Sequence, residues 1–129
     1  MIQPLVYIDR SEIRPGKLEV LQAGMKELAA FVEANEPQIM SYGFFLDAER
    51  RWMTLVAVHP DSASMEYHME VAGPLFGQFA AWIDMKSIEV YGRPSDKVLA
   101  RLREKARMLG ARDVSVHDLH SGFGRVAAL

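Results

Sequence analysis

Hydrophobic and polar positions follow two different rhythms along the chain, and each rhythm predicts one kind of element. Apolar runs bounded by turn residues predict strands at residues 5–8, 39–47, 51–59 and 87–91. Apolar residues three and four positions apart predict amphipathic helices between these runs. The predicted order is therefore βαββαβ, with a hairpin turn at residues 47–50 between the second and third strands.

Each predicted helix has one apolar face. The first helix begins after Pro15-Gly16 and ends at Asn35-Glu36-Pro37, and its face consists of Leu18, Leu21, Met25, Leu28 and Val32. The second helix follows Pro60, with Asp61 or Ser62 as the N-cap, and its face consists of Met65, His68, Met69 and Ala72. Gly73-Pro74 interrupts it, and residues 75–83 continue with a second helical stripe.

Residues 94–129 form an addition to this unit of residues 1–93. Ser95 is predicted to cap a third helix, which Gly110 ends, and its apolar stripe consists of Val98, Leu99, Leu102, Ala106 and Leu109. The basic residues on the helix are Lys97, Arg101, Arg103, Lys105 and Arg107. We interpret this row as a solvated face in preference to a phosphate-binding surface, because Glu104 interrupts it. Residues 113–119 are compatible with a fifth strand, and 121–129 with a flexible end.

The third strand is apolar on both of its faces. Trp52, Val56 and Val58 point to one side, whereas Met53, Leu55 and Ala57 point to the other. Each face is stabilised by leaving water, at about 25 cal/mol per Å² of apolar surface. We therefore predict that the helices cover one face and that a second copy of the chain covers the other in a two-fold homodimer.

Composition narrows the class of protein. Half of the 129 residues are hydrophobic, a quarter are charged and the formal net charge is −2, which gives no bias toward nucleic acid or an anionic membrane. The absence of cysteine excludes disulfides and thiolate chemistry and fits a cytoplasmic location. No apolar run approaches the roughly 20 residues of a membrane span, and the first ten residues lack the pattern of a signal peptide.

Three segments are typical of a known domain family. They are Arg14-Pro15-Gly16-Lys17, then Asn35-Glu36-Pro37 with Ser41-Tyr42-Gly43, and Ser64-Met65-Glu66-Tyr67-His68 with Gly73-Pro74-Leu75-Phe76. With them, residues 4–92 resemble the antibiotic biosynthesis monooxygenase (ABM) domains of the dimeric α+β barrel superfamily. The resemblance implies an α+β fold, namely a ferredoxin-like βαββαβ unit with an antiparallel four-stranded sheet, here with an added C-terminal helix and room for an extra strand.

The same resemblance implies a reaction without a cofactor. Some ABM-like domains oxygenate polycyclic aromatic molecules unaided, whereas the haem-degrading branch has a histidine after the second helix. This chain has Phe76-Gly77-Gln78-Phe79 there, which contains no haem ligand. It also has Ala57 and His59 where the family often has an acidic and an aromatic residue. We therefore expect no cofactor and no haem.

His68 is the predicted catalytic residue. Imidazole suits proton transfer near neutral pH, and His68 matches the helix histidine of the family. The alternative is a partly buried structural histidine that bonds to the backbone or to Tyr67. The predicted substrate-binding residues are Tyr42, Tyr67, Trp82 and His59. Aromatic side chains on strands also commonly serve as core.

Other motifs give weaker signals. His59, His117 and His120 could suggest a metal site, but residues three apart on a strand point to opposite faces, and we predict no metal. Ser121-Gly122-Phe123-Gly124 lacks the strand and helix of a phosphate-binding loop.

Two functional hypotheses follow. The first is a cofactor-independent monooxygenase of a small aromatic or polyketide-like substrate. The second is a non-catalytic dimeric module that binds a small hydrophobic ligand or a protein partner.

Overall fold

A single five-stranded sheet, with helices packed on one face, organises the chain in a computed structural model that describes residues 4–125. The strands are β1 (Leu5–Ile13), β2 (Ser41–Leu46), β3 (Trp52–His59), β4 (Ile83–Tyr91) and β5 (Val114–His117). The helices are α1 (Leu18–Asn35), α2 (Ser62–Val71) and α3 (Asp96–Leu109), and two short 3₁₀ helices span Gly73–Leu75 and Gly77–Ala81.

The strand order is β2-β3-β1-β4-β5, in which the first four strands are antiparallel and β5 is parallel to β4. The first four strands with α1 and α2 form the predicted ferredoxin-like βαββαβ unit. The predicted α+β class is therefore confirmed, and β5 is the extra strand that the sequence was compatible with. Because β5 runs parallel to its neighbour, the sheet is mixed.

Local signals in the sequence explain the helix ends. The side chain of Asp61 accepts a hydrogen bond from the backbone N–H of Ser64 at 2.9 Å, and that of Ser95 accepts one from Val98 at 3.1 Å. Both caps satisfy N–H groups that have no partner within the helix. Gly110 ends α3 in the left-handed region, with φ +105°, where a side chain would be strained.

Two element boundaries differ from the prediction. Strand β1 continues past residue 8 to Ile13, because its polar residues pair on both sides, with β3 and β4. The predicted helical stripe of residues 75–83 is instead a pair of 3₁₀ helices, after which β4 begins at Ile83 and not at residue 87. Gly73, Pro74 and Gly77 lie in this stretch and disfavour a continuous α-helix.

The two faces of the sheet have different environments. The inner face of β3 carries Met53, Leu55 and Ala57, which the helices bury completely, as the sequence predicted. The outer face is less covered, and its exposed aromatic residues include Phe45, at 59 % exposure, and Trp52, at 40 %. This outer face is the one that the predicted dimer would cover.

Helix α3 is part of the core. Val98, Leu102, Ala106 and Leu109 pack into the same buried cluster as the sheet. Lys105 is only 6 % exposed, so the prediction that it belongs to a solvated basic row is wrong. The reason is that Lys105 lies three residues after Leu102 and four before Leu109, on the apolar side of the helix.

None of the helices within residues 4–125 combines the length and the apolar character that crossing a bilayer requires. The predicted flexible end at 121–129 extends past the described part of the chain, since residues 126–129 lie outside it.

Candidate functional site

Polar side chains lie between the inner face of the sheet and the helices, in an otherwise apolar core. Strand β1 contributes Tyr7, Asp9 and Ser11, because alternate residues of a strand share a face. Strand β3 ends inward at His59, and α2 contributes His68. The remaining members are Glu36, at the end of α1, and Lys105, on α3. This group of buried polar side chains is the candidate functional site.

His68 and Glu36 form a closed hydrogen-bonded pair. Nδ1 of His68 lies 2.8 Å from both carboxylate oxygens of Glu36, and the two side chains are 4 % and 2 % exposed. Glu36 is the residue that follows α1, and its backbone N–H still donates to Val32. The partner of His68 is therefore Glu36, and neither the backbone nor Tyr67, the two partners that the sequence suggested.

His59 lies beside this pair. Its Nδ1 is 2.9 Å from the Ser64 hydroxyl, its ring centroid is 5.5 Å from that of His68, and its Nε2 has no hydrogen-bond partner among residues 4–125. Burial, followed by the charges of His68 and Lys105, lowers the pKa of His59 to about 3. His59 is therefore a neutral imidazole at physiological pH.

Asp9, Lys105 and Tyr7 form a second cluster. The Tyr7 hydroxyl donates to Oδ2 of Asp9 at 2.6 Å, and Nζ of Lys105 lies 3.5 Å from the same oxygen. The Lys105 amine also lies 4.6 Å from the ring centroid of Tyr7 and 4.3 Å from that of Phe76. Such positions over aromatic faces stabilise an ammonium ion.

Burial affects the ionisation of this cluster. It raises the pKa of Asp9, against the opposing charge of Lys105 and the hydrogen bond from Tyr7. It lowers the pKa of Lys105, against the opposing charge of Asp9. Each partner therefore reduces the desolvation cost of the other.

A small cavity of about 20 Å³ lies at this second cluster. Its wall includes Asp9, Lys105, Tyr42, Phe44, Phe76 and Phe79. Burial, with the charges of Asp9 and Glu36, raises the pKa of Tyr42, so its hydroxyl stays protonated near neutral pH. The Tyr42 ring centroid lies 5.3 Å from that of His68, which places Tyr42 between the two clusters.

The predicted site residues separate into two groups. His68, His59 and Tyr42 come together in the interior. Tyr67 lies 47 % exposed on α2, and its hydroxyl donates to the backbone carbonyl of Asn35 at 3.4 Å. Trp82 packs against Gly24 of α1, where an added Cβ would collide with the indole, and its ring lies 5.1 Å from that of Phe79.

Five of these buried polar residues were not predicted as site residues, namely Tyr7, Asp9, Ser11, Glu36 and Lys105. The alternation of β1 was a usable signal for Asp9, since it shares the register of Leu5 and Tyr7. The position of Lys105 within the apolar stripe of α3 was another. Glu36 had no comparable signal, because the direction of its side chain depends on how the chain leaves α1.

Within the described range, no three His, Cys, Asp or Glu side chains come together as a set that could hold a metal ion. The ring of His117 stacks on Tyr91 at 4.5 Å, and Nδ1 of His120 lies 3.2 Å from the hydroxyl of Ser121.

No protein-family model and no curated protein matches the chain. Among solved structures, MupZ from Pseudomonas fluorescens is 19 % identical with a TM-score of 0.73, covering 97 % of this chain and 98 % of its own. SnoaB, a cofactor-independent oxygenase from Streptomyces nogalater, is 14 % identical with a TM-score of 0.60, covering 72 % of this chain and 95 % of its own.

A third similar structure is a Bacteroides thetaiotaomicron protein named as a putative antibiotic biosynthesis monooxygenase. It is 23 % identical with a TM-score of 0.56, covering 67 % of this chain and 84 % of its own. At these identities the likeness concerns the fold, so the resemblance to ABM domains is confirmed at the level of the fold.

Proposed function

We propose that the protein is a cofactor-independent monooxygenase of a small aromatic or polyketide-like substrate. The buried His68–Glu36 pair beside Tyr42 is the observation that supports this most, in a fold shared with a cofactor-independent oxygenase. In such a reaction the protein removes a proton from a phenolic substrate, and O₂ oxidises the resulting carbanion or enolate. The protein has to supply a base and oriented donors, and the substrate supplies the electrons.

His68 is the proposed base. Glu36 accepts the hydrogen bond from Nδ1, which fixes the ring and leaves Nε2 as the nitrogen that accepts the substrate proton. The Tyr42 hydroxyl is the proposed donor to the developing enolate oxygen. His59 is proposed as a neutral contact to the substrate. Tyr67 and Trp82 are proposed as outer contacts to the substrate. Tyr67 lies at the surface on α2, and Trp82 packs against Gly24 of α1.

Oxygen consumption with a panel of anthrones and quinols tests the proposal. We expect His68→Gln to lower turnover by at least about 100-fold, since general base catalysis contributes that much. His117→Gln is the matched control, because it makes the same change at an exposed histidine, and we expect it to retain full activity. Turnover that survives in His68→Gln would exclude His68 as the base.

The homodimer is proposed to form through the outer face of the sheet. Ile8 and Val56 are paired neighbours at the centre of this face, where they supply apolar surface that a second sheet would bury. Size-exclusion chromatography with light scattering should give twice the mass of one chain, and Ile8→Lys should give a monomer. A wild-type monomer at micromolar concentration would refute the dimer.

We also propose that residues 94–129 are an addition to an ABM-like unit at 1–93. The match to SnoaB supports this, because nearly all of that chain corresponds to only 72 % of this one. The match to MupZ extends over both parts. A cytoplasmic location is proposed from the absence of cysteine.

The non-catalytic binding module is the second candidate. The largely aromatic and aliphatic wall of the cavity favours it, since an apolar pocket suits a hydrophobic ligand whether or not a reaction follows. Binding of a hydrophobic ligand without any oxygen consumption across the panel would support this candidate.

A further inference from the structure

Two polar atoms on the wall of the cavity have no partner. Asp9 is 1 % exposed, and its Oδ2 is occupied by Tyr7 and Lys105, but Oδ1 finds no hydrogen-bond partner in the described part of the chain. The same is true of the Tyr42 hydroxyl. Both residues line the same cavity. Nearly all buried polar atoms in proteins are paired with protein or with ordered water, so these two atoms mark a place that holds a water or the polar group of a ligand.

The chemistry of the two atoms narrows what that group can be. The amine of Lys105 and the hydroxyl of Tyr7 converge on Oδ2 and favour the carboxylate form of Asp9, in which Oδ1 requires a donor. The Tyr42 hydroxyl supplies the donor that such a group would accept. A ketone or an ether cannot donate to Asp9, a carboxylate is repelled by it, and a second ammonium is repelled by that of Lys105 on the same carboxylate.

We propose that the cavity between Asp9 and Tyr42 binds a hydroxyl group of an alcohol, a phenol or an enol, with Lys105 and Tyr7 orienting Asp9 so that Oδ1 is the acceptor. This hydroxyl site adds a binding contact to the proposed function. It rests on that function only where the bound molecule is taken to be the substrate. Asp9 and Lys105 are binding and positioning residues here, and His68 keeps the proton-transfer role.

The size and lining of the cavity agree with this assignment. A cavity of about 20 Å³ holds one hydroxyl, since a single water needs about 10–15 Å³ by the same measure. The rest of its wall is largely aromatic and aliphatic. Phe44, Phe76 and Phe79 are the side chains that could pack against an aromatic ligand. We therefore expect the rest of the bound ligand to be apolar, and the phenylalanine rings have to move to admit it.

A matched pair of probes tests the site. 1-Naphthol can donate to Asp9 and accept from Tyr42, whereas 1-methoxynaphthalene has the same ring and can only accept. Dissociation constants from protein-observed NMR titrations should favour naphthol by about tenfold or more, because a hydrogen bond to a buried charged group is lost with the ether.

One variant removes the preference and a second weakens both probes. Asp9→Leu with Lys105→Met replaces the buried pair by apolar groups of similar size, a change that proteins commonly tolerate. We expect it to bring the two dissociation constants within about twofold of each other, since the charged acceptor is removed. Tyr42→Phe keeps the ring and should weaken the binding of both probes, because both accept from its hydroxyl, so the preference should remain. Lys97→Met, at an exposed lysine, should leave the preference unchanged.

Three outcomes would each overturn the site. They are equal binding of the two probes by the wild type, no naphthol binding up to about 1 mM, and a preference that survives in the double variant. The result for His68→Gln separates this inference from the proposed function, because that variant should lose turnover and keep the preference. A preserved preference without any oxygen consumption would refute the oxygenase and leave the hydroxyl site standing.

Discussion

The interior contains two buried pairs, each of one acidic and one basic side chain. They differ in how many of their polar atoms have a hydrogen-bond partner. In the His68–Glu36 pair, one imidazole nitrogen lies 2.8 Å from both carboxylate oxygens. In the Asp9–Lys105 pair, the amine lies 3.5 Å from a single oxygen, and the other oxygen has no partner within residues 4–125. A closed pair orients its members, whereas an open pair retains binding capacity for something else.

The two pairs also come from different parts of the chain. Glu36 and His68 both lie within the βαββαβ unit, at the end of α1 and in the middle of α2. Lys105 comes from α3, in the part that we propose as an addition, and contacts Asp9 on the central strand β1. Helix α3 thus changes the electrostatics of the interior, because Asp9 would have no ammonium partner without it.

The largest expected effect is the loss of one member of the open pair. Lys105→Met leaves the Asp9 carboxylate buried without a counter-charge, which should lower the free energy of unfolding by about 3–5 kcal/mol. Urea denaturation followed by circular dichroism measures this.

The double change Asp9→Leu with Lys105→Met should recover most of the loss, because no buried charge remains. Lys97→Met is the control, since Lys97 is exposed and its ion pair with Glu66 spans 3.8 Å, and it should cost less than about 1 kcal/mol. Equal stability of Lys105→Met and wild type would show that the open pair is not an ion pair.

The histidine beside the closed pair predicts an intermediate effect of pH. The folded-state pKa of His59, about 3, lies below its unfolded value of about 6.5. Neutral His59 therefore stabilises the fold fully above about pH 6.5, and this contribution is lost as the pH falls toward 3.

Between about pH 6 and pH 4, the wild type should lose roughly 1.4 kcal/mol per pH unit more than His59→Gln does. The comparison of the two proteins removes the titration of other groups, including His68 and Lys105, which lie near His59. Parallel stability curves for the two proteins would mean that His59 is accessible to protons in the folded state.

The smallest expected effect is a change of charge within the closed pair. Glu36→Gln keeps an oxygen that accepts from Nδ1 of His68, so the hydrogen bond survives without the carboxylate charge. We expect a loss of about 1–2 kcal/mol in the free energy of unfolding, less than for Lys105→Met. Urea titration of both variants under the same conditions gives the ranking. The opposite ranking would contradict the assignment of the closed and open pairs.

The local elements of this protein could be predicted because their causes are local. Asp61 and Ser95 cap their helices with side chains that reach only three residues along the chain, and Gly110 ends α3 by its own backbone conformation. The two-sided apolar pattern of β3 similarly follows from alternation within one strand. The resemblance to ABM domains also came from short local segments, such as Arg14-Pro15-Gly16-Lys17 just before α1.

The interior chemistry depended on contacts between distant positions. His68 was predicted, but its partner Glu36 is 32 residues away and turns inward only because of how the chain leaves α1. Lys105 and Asp9 are still further apart in the chain, and their pairing requires α3 to pack across the sheet. Hydrophobic periodicity assigns each residue to a face of its own element. The packing of the elements decides which polar side chains meet on those faces, and hence which atoms are left to bind a ligand.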